Sequence, residues 1–177
     1  DAQLCAIDNI VYSADKKRLL CRIPNVTSAN FPDGLEEIAA SAFKNCTSLT
    51  GVNLPASLKK IGNYAFSGCT GITALDFSAC TQPLSIDISA FCNCIGLSGT
   101  VVLPANLKKI GEDAFFQCGK VTVFDFSKCT ALISIAGGAF TECNAAAFKV
   151  KKGSVGSAIK AALIKSGVAE SQISEVD

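Results

Sequence analysis

The stretch Leu54-Pro-Ala-Ser-Leu58-Lys-Lys-Ile61-Gly-Asn-Tyr-Ala65-Phe66-Ser-Gly-Cys69-Thr-Gly-Ile72-Thr-Ala-Leu75-Asp-Phe77 decides the fold, because its parts recur along the chain. Ala-Phe-x-x-Cys appears at Phe43/Cys46, Phe66/Cys69, Phe91/Cys94, Phe115/Cys118 and Phe140/Cys143. An Ile stands five residues before each Phe: Ile38, Ile61, Ile86, Ile110 and Ile135. A Leu stands eight before in four repeats, at Leu35, Leu58, Leu107 and Leu132; in the third, Pro83-Leu84 is shifted by one. After each Cys comes a short run with strand alternation, clearest at 49–54, 72–77 and 121–126, with further copies at 26–31 and 145–150. The third copy, Leu97-Ser-Gly-Thr-Val101-Val-Leu103, carries one extra residue and reads as a bulge. A second period overlies the first. Leu-Pro-Ala-x-Leu-Lys-Lys-Ile-Gly stands at 54–62 and 103–111, and Asp-Phe-Ser-x-Cys-Thr at 76–81 and 125–130.

A unit of about 24 residues cannot bury its own apolar positions, but stacked copies share one core. Equivalent residues then lie about 4.8 Å apart, the spacing of neighbouring strands. The five Phe form one column and the five motif Cys another. Ten Cys in 177 residues first suggests a disulfide framework. Periodic placement instead predicts small, buried, free thiols, with Cys80 and Cys129 joining them through the double period. Cys92 belongs to no column and is expected to be the exposed thiol. Cys5 and Cys21 are the best disulfide candidates, facing each other across an N-terminal hairpin.

Composition narrows the function. Hydrophobic residues are 49% and charged residues 18%, which excludes a disordered chain. The net charge of +1 gives no case for nucleic acid. With no His, the Ser-His-Asp and Cys-His nucleophile systems and most catalytic zinc sites are ruled out. No apolar run reaches the length of a membrane span. Asp1-Ala-Gln-Leu-Cys5 has no basic-then-apolar leader pattern, so any export signal is expected upstream. Phosphate-loop and dinucleotide motifs are missing, and no cofactor or metal is expected. Asn25-Val-Thr27 and Asn45-Cys-Thr47 are sequons that matter only in a secreted eukaryotic protein.

Leu58 to Leu75 and Leu107 to Phe124 closely match the pattern Leu-x-x-Ile-Gly-x-x-Ala-Phe-x-x-Cys-x-x-Leu-x-x-Val-x-Leu-Pro, so the chain resembles the BspA-like, or Treponema pallidum-type, leucine-rich repeats. The likeness covers about residues 5–150. It implies an α/β repeat fold: a right-handed, curved leucine-rich-repeat solenoid with short parallel β-strands on its concave side. The Ile-Gly-x-x-Ala-Phe segments then form the outer side. It also implies a non-catalytic module on the cell surface or secreted, used for adhesion or protein binding.

The expected organisation is a single domain: an N-terminal β-hairpin cap at 1–30, about five repeats at 31–150, and a C-terminal cap at 151–177. Ala14-Asp15-Lys16 is the hairpin turn. A helix over about 155–166 is expected, with Ser154 as N-cap, Val155, Ile159, Ala162 and Leu163 on its buried face, and Gly167 as its stop. Ile173 to Val176 reads as a last strand.

On each concave strand, period-two alternation turns one column outward: Asn30, Asn53, Asp76, Val102, Asp125 and Lys149. Thr27, Thr50, Thr73 and Thr122 form another at the strand start. These columns are the candidate binding face. Asp76 and Asp125 stand two rungs apart, too far to share a metal. Lys59, Lys60, Lys108 and Lys109 make a candidate basic stripe on the outer side, equivalent in place to Glu36 and Glu37. The leading expectation is a monomeric binding module for a protein or glycan on host or bacterial surfaces. The alternative is an architectural spacer of a larger surface protein. A thiol redox enzyme using Cys92 and Cys94 is the weakest reading, because Cys94 belongs to the buried column.

Overall fold

The computed structural model describes residues 4–7, 10–22, 26–131 and 133–177. In chain order its strands are β1 (Leu4–Ile7), β2 (Ile10–Ser13), β3 (Arg18–Arg22), β4 (Ser28–Asn30), β5 (Glu37–Ile38), β6 (Gly51–Asn53) and β7 (Lys60–Ile61). They continue with β8 (Leu84–Ile86), β9 (Ser98–Val102), β10 (Leu107–Ile110), β11 (Lys120–Asp125), β12 (Ser134–Ile135), β13 (Ala147–Lys151) and β14 (Ile173–Val176). One helix, α1 (Ser154–Lys165), lies between the last two.

The motif Ile residues build the longest sheet. Ile38, Ile61, Ile86, Ile110 and Ile135 are partners in successive parallel strands, so β5, β7, β8, β10 and β12 form one ladder. β3 joins it in parallel, and β2 and β1 continue it antiparallel. These Leu-x-x-Ile segments, expected only as an outer side, are therefore strands themselves. Gly111 follows its Ile because a Cβ there would sit 2.6 Å from the backbone of Asp87 and Ile88.

The runs after each Cys make a second ladder, in two pieces. β4 pairs with β6, and a single bridge joins Asn53 to Asp76. β9, β11, β13 and β14 form the other piece, all parallel. The bulge expected in the third repeat at 97–103 is not where the ladder slips: β9 pairs continuously with β11, Gly99 with φ +72° stands opposite Val121, and the residue skipped is Thr122 of β11. The third repeat's shifted Leu is absorbed in the first ladder, where Leu84 pairs with Leu107 and the register slips before Lys109.

The Ala-Phe-x-x-Cys segments form a third column, of turns rather than strands. In the first four, the Phe N–H donates to the Ala carbonyl one repeat on, as from Phe66 to Ala90 at 2.8 Å. The residues two before and two after each Phe take left-handed backbone, among them Ser41 and Asn45, Tyr64 and Gly68, and Asp113 and Gln117. The Phe rings stack in parallel from Phe43 through Phe66, Phe91 and Phe115 to Phe140, with centroids 5.1 to 5.7 Å apart.

The motif thiols are buried and free, as the periodicity requires. They also make a directed contact. Cys69 Sγ donates to Phe43 O at 3.0 Å, Cys94 to Phe66 at 3.2 Å, Cys118 to Phe91 at 3.3 Å and Cys143 to Phe115 at 3.1 Å. A Cys thus fills a small apolar slot and gives one weak bond to the rung below.

Three local expectations need correction. Cys5 pairs with Tyr12 and Cys21 with Val11, so β2 lies between them. Two strand spacings, about 9–10 Å, exceed the reach of a disulfide, and Cys21 is free. Among the described cysteine side chains, Cys21 and not Cys92 is the exposed one; Cys92 is half-buried. Ser154 is the first helical residue and the N-cap is Gly153, with no side-chain cap bond. The helix stop is as expected: Gly167 N–H donates to Ile164 O and Val168 N–H to Leu163 O, closing a Schellman turn. Ile159 and Leu163 are buried, and α1 lies against β13 and β12.

Candidate functional site

The outward column forms in the expected register. Asn30 faces Asn53, Asn53 faces Asp76, Val102 faces Asp125 and Asp125 faces Lys149. The strands place it by burying Ala29, Val52, Val101, Phe124 and Phe148, which turns their neighbours outward. Asn30, Asn53 and Asp76 are exposed, while Asp125 and Lys149 are half-buried. Asn53 Nδ2 donates to Asn30 Oδ1 at 2.6 Å. The two carboxylates tie the turns that follow them, Asp76 Oδ1 accepting Ser78 N–H at 2.7 Å and Asp125 Oδ1 accepting Ser127 N–H at 2.8 Å. Bonds from the Ser78 hydroxyl and N–H hold the Asp76 carboxyl below the usual carboxylate range, and Lys128 nearby adds to this.

Thr50, Thr73 and Thr122 are exposed as expected. Thr50 donates its hydroxyl to Thr27 O at 3.2 Å, and the Thr73 carbonyl accepts Ser98 N–H at 3.1 Å. Thr122 falls at the register shift and is skipped in the pairing of β11 with β9.

The candidate basic stripe is compensated by acids. Lys59 pairs with Glu36 at 3.0 Å, and Glu36 also takes Lys17. Arg18, Glu37, Lys60, Asp87 and Lys109 alternate in sign across five rungs, with contacts of 2.9, 3.4, 3.7 and 3.4 Å. Lys108 alone of the four lysines makes no ion pair among the described residues. The reason lies in the register: Glu37 stands beside Lys60, and Asp87 lies two residues past Ser85, which stands between Lys60 and Lys109.

The thiols are poorly suited to redox chemistry. Burial pushes Cys80 and Cys143 up to about 11 and Cys129 to about 12, and it raises Cys94 and Cys92 as well. A raised thiol supplies little of the thiolate that such chemistry needs.

Sequence reasoning missed a cleft. The loops of the second ladder are tied in pairs: Thr81 bonds Ala56 O through its N–H and hydroxyl, and Thr130 bonds Ala105 O in the same way. Between the pairs, the loops 76–81 and 102–106 part and open a cleft of about 660 Å³. Phe77, Cys80, Val102 and Leu103 line it, with Asp76 and Lys128. The irregular third repeat, with Leu84 shifted and one residue added in 97–103, was the signal of it in the sequence.

The BspA-type leucine-rich repeat model matches residues 17–147, in six copies. Among solved structures, a leucine-rich repeat protein of T. pallidum is similar at 30% identity and TM-score 0.64, over 85% of this chain and 68% of that one. The pneumococcal vaccine antigen PcpA is similar at 21% identity and TM-score 0.71, over 98% of this chain and 48% of that one. A leucine-rich repeat protein of Bacteroides ovatus follows at 20% identity and TM-score 0.59, over 84% and 38%. No curated protein sequence matches the chain. With the repeat model matching most of its length, and with a stacked core of Phe, Ile and Cys columns, the chain belongs to the BspA-type leucine-rich repeat family.

Proposed function

We propose that the chain is a non-catalytic binding module, on a cell surface or secreted, that holds a protein partner on the face carrying Asn30, Asn53, Asp76, Thr50 and Thr73. One observation carries this reading. These side chains are exposed, with Asn30, Asn53 and Asp76 in register, over a core of stacked Phe rings, so binding them costs little ordering of the module itself. In this reading the face is the concave side of a right-handed solenoid, in line with the handedness of parallel crossovers. The antiparallel strands at one end and α1 at the other close its core. Membership in the repeat family supports a protein partner. Among the described residues no helix is long and apolar enough to cross a membrane.

The test is surface plasmon resonance against immobilised extracellular-matrix proteins, mucins and bacterial surfaces. The variant carries Asn30→Arg with Asn53→Arg. Lost capture with an unchanged thermal melt is expected. Undiminished capture places binding elsewhere, and capture of glycans alone overturns the protein partner.

A further inference from the structure

Each of the first four Ala-Phe-x-x-Cys turns is closed by a bond from the residue after Phe to the residue two before it. Lys44 N–H donates to Ser41 O, Ser67 to Tyr64, Cys92 to Ser89 and Phe116 to Asp113, at 3.0 to 3.1 Å. The two positions therefore stand side by side on every rung. In the middle of the stack this surface carries apolar groups. Tyr64 is 41% exposed, and Ile88, whose carbonyl accepts Tyr64 N–H at 2.9 Å, is 37% exposed. Cys92 and Phe116 follow, both half-buried. Phe116 is the one Phe that belongs to neither the ring stack nor the core. Tyr64 also takes left-handed backbone, φ +57°, at a position held elsewhere by Ser41, Ser89, Asp113 and Gly138. A bulky ring is costly in that conformation, and the stack itself does not need one there. Lys44 Nζ sits over the ring, 4.9 Å from its centroid, and holds it at the surface.

The charges of this surface are separated along the stack. Lys44 lies on the first turn, and Glu112 and Asp113 lie on the fourth, three strand spacings or about 14 Å away. None of the three makes an ion pair among the described residues, unlike Lys59, Lys60 and Lys109 on the first ladder. Cys92 stands between the two ends, in the field of both Lys44 and Asp113. The order along the stack is thus cation, ring, thiol, ring, carboxylates. Turned end for end, that order is its own complement. A two-fold axis at the third turn, beside Ile88 and Cys92, sets Lys44 of one copy against Glu112 of the other. It sets Tyr64 against Phe116 in the same way, and each contact is made twice.

We propose that the outer surface of the turns, from Lys44 to Glu112, is an isologous interface between two copies of this chain. Pairing covers Tyr64, Ile88 and Phe116 and gives each unpaired charge an opposite one. The interface goes beyond the binding reading and does not rest on it. It lies off the second ladder, so Asn30, Asn53 and Asp76 stay free in both copies.

The test is sedimentation equilibrium of the whole chain with a thiol reductant present, which removes any disulfide dimer through the exposed Cys21. A reversible dimer is expected. Lys44→Glu alone and Glu112→Lys alone should each weaken it at least about tenfold, because each places two like-charge contacts in the interface. An equimolar mixture of these two variants should dimerise again, since every contact then joins opposite charges. Tyr64→Ser should also weaken the dimer at least about tenfold while its thermal melt does not fall, because Ser holds the same position in neighbouring turns.

A wild type that stays monomeric overturns the interface, as does a dimer unmoved by both charge reversals. A mixture that does not dimerise overturns the two-fold pairing on which the interface depends. Lys44 and Glu112 are exposed, so both reversals keep the fold, and they decide alone if Tyr64→Ser does not fold. Asn30→Arg with Asn53→Arg should leave the dimer intact even where it abolishes capture of a partner. Loss of the dimer in that variant places the contact on the second ladder and overturns the proposal.

Discussion

The Leu-Lys-Lys-Ile ladder runs from β3 to β12 without a gap, whereas the ladder on the other side stops at Asp76 and resumes at β9. Both are built from the same repeats, and both meet an irregular third repeat. In the first ladder, the shortened link to Leu84 is absorbed by a register slip, and pairing is recovered at Ile86. Three features hold it there: the buried Ile61, Ile86 and Ile110 on adjoining rungs, Gly111 that lets backbones close, and a row of alternating charges. In the second, no bridge joins the rung of Asp76 to that of Val102, and the two repeats meet again only where Leu84 N–H donates to Asn106 O at 3.3 Å. A repeat protein thus tolerates a length change where side-chain columns fix the register on both sides. Where they do not, it opens a cleft.

Breaking what the two ladders share should have the largest effect. Phe91 stacks on Phe66 and Phe115 at 5.2 and 5.3 Å and meets Phe77, at the broken junction, edge-on at 6.4 Å. Phe91→Ala should cost about 3–5 kcal/mol in denaturant unfolding, because it leaves a void in the middle of the stack. A loss below about 1 kcal/mol would mean that neighbouring rungs collapse into the space, contrary to a rigid shared core.

The smallest effect belongs to the charges of the intact ladder. Lys60→Ala, at a mostly exposed site, should cost less than about 1 kcal/mol and nothing measurable in high salt. Its pH signature is clearer. Bonds from Lys59 and then Lys17 hold the Glu36 carboxyl below its ordinary value. A depressed folded value means stabilisation that is present above the unfolded pKa and lost as pH falls through the folded one. Lys59→Ala should therefore flatten the acid limb of the stability curve. An unchanged limb in low salt would show that this pair does not contribute.

The columns were legible in the sequence because each is one residue type at one interval. Phe, Ile and Cys recur at fixed offsets, and burying one member of a stack requires burying all. The outward register of Asn30, Asn53, Asp76, Asp125 and Lys149 followed by alternation. The errors share a different cause. Lys59 and Lys60 read as a bare stripe because their acidic partners lie in other repeats, at Glu36, Glu37 and Asp87. Cys5 and Cys21 read as a pair because β2 between them could not be seen as the middle strand of three. Lys128 carried no signal, since it meets Asp76 only through the folding of the 76–81 and 102–106 loops around one cleft.

What the sequence determined by itself is the stack: the repeat length, the buried columns and the terminal helix with its Gly167 stop. These depend on neighbours at a fixed interval along the chain, and periodicity encodes that interval. Only the tertiary structure decided where one rung fails to meet the next. The pairing of Val102 depends on the relative displacement of two separate rungs, a sum of small shifts that no single residue specifies. From it came the cleft beside Asp76 and Lys128.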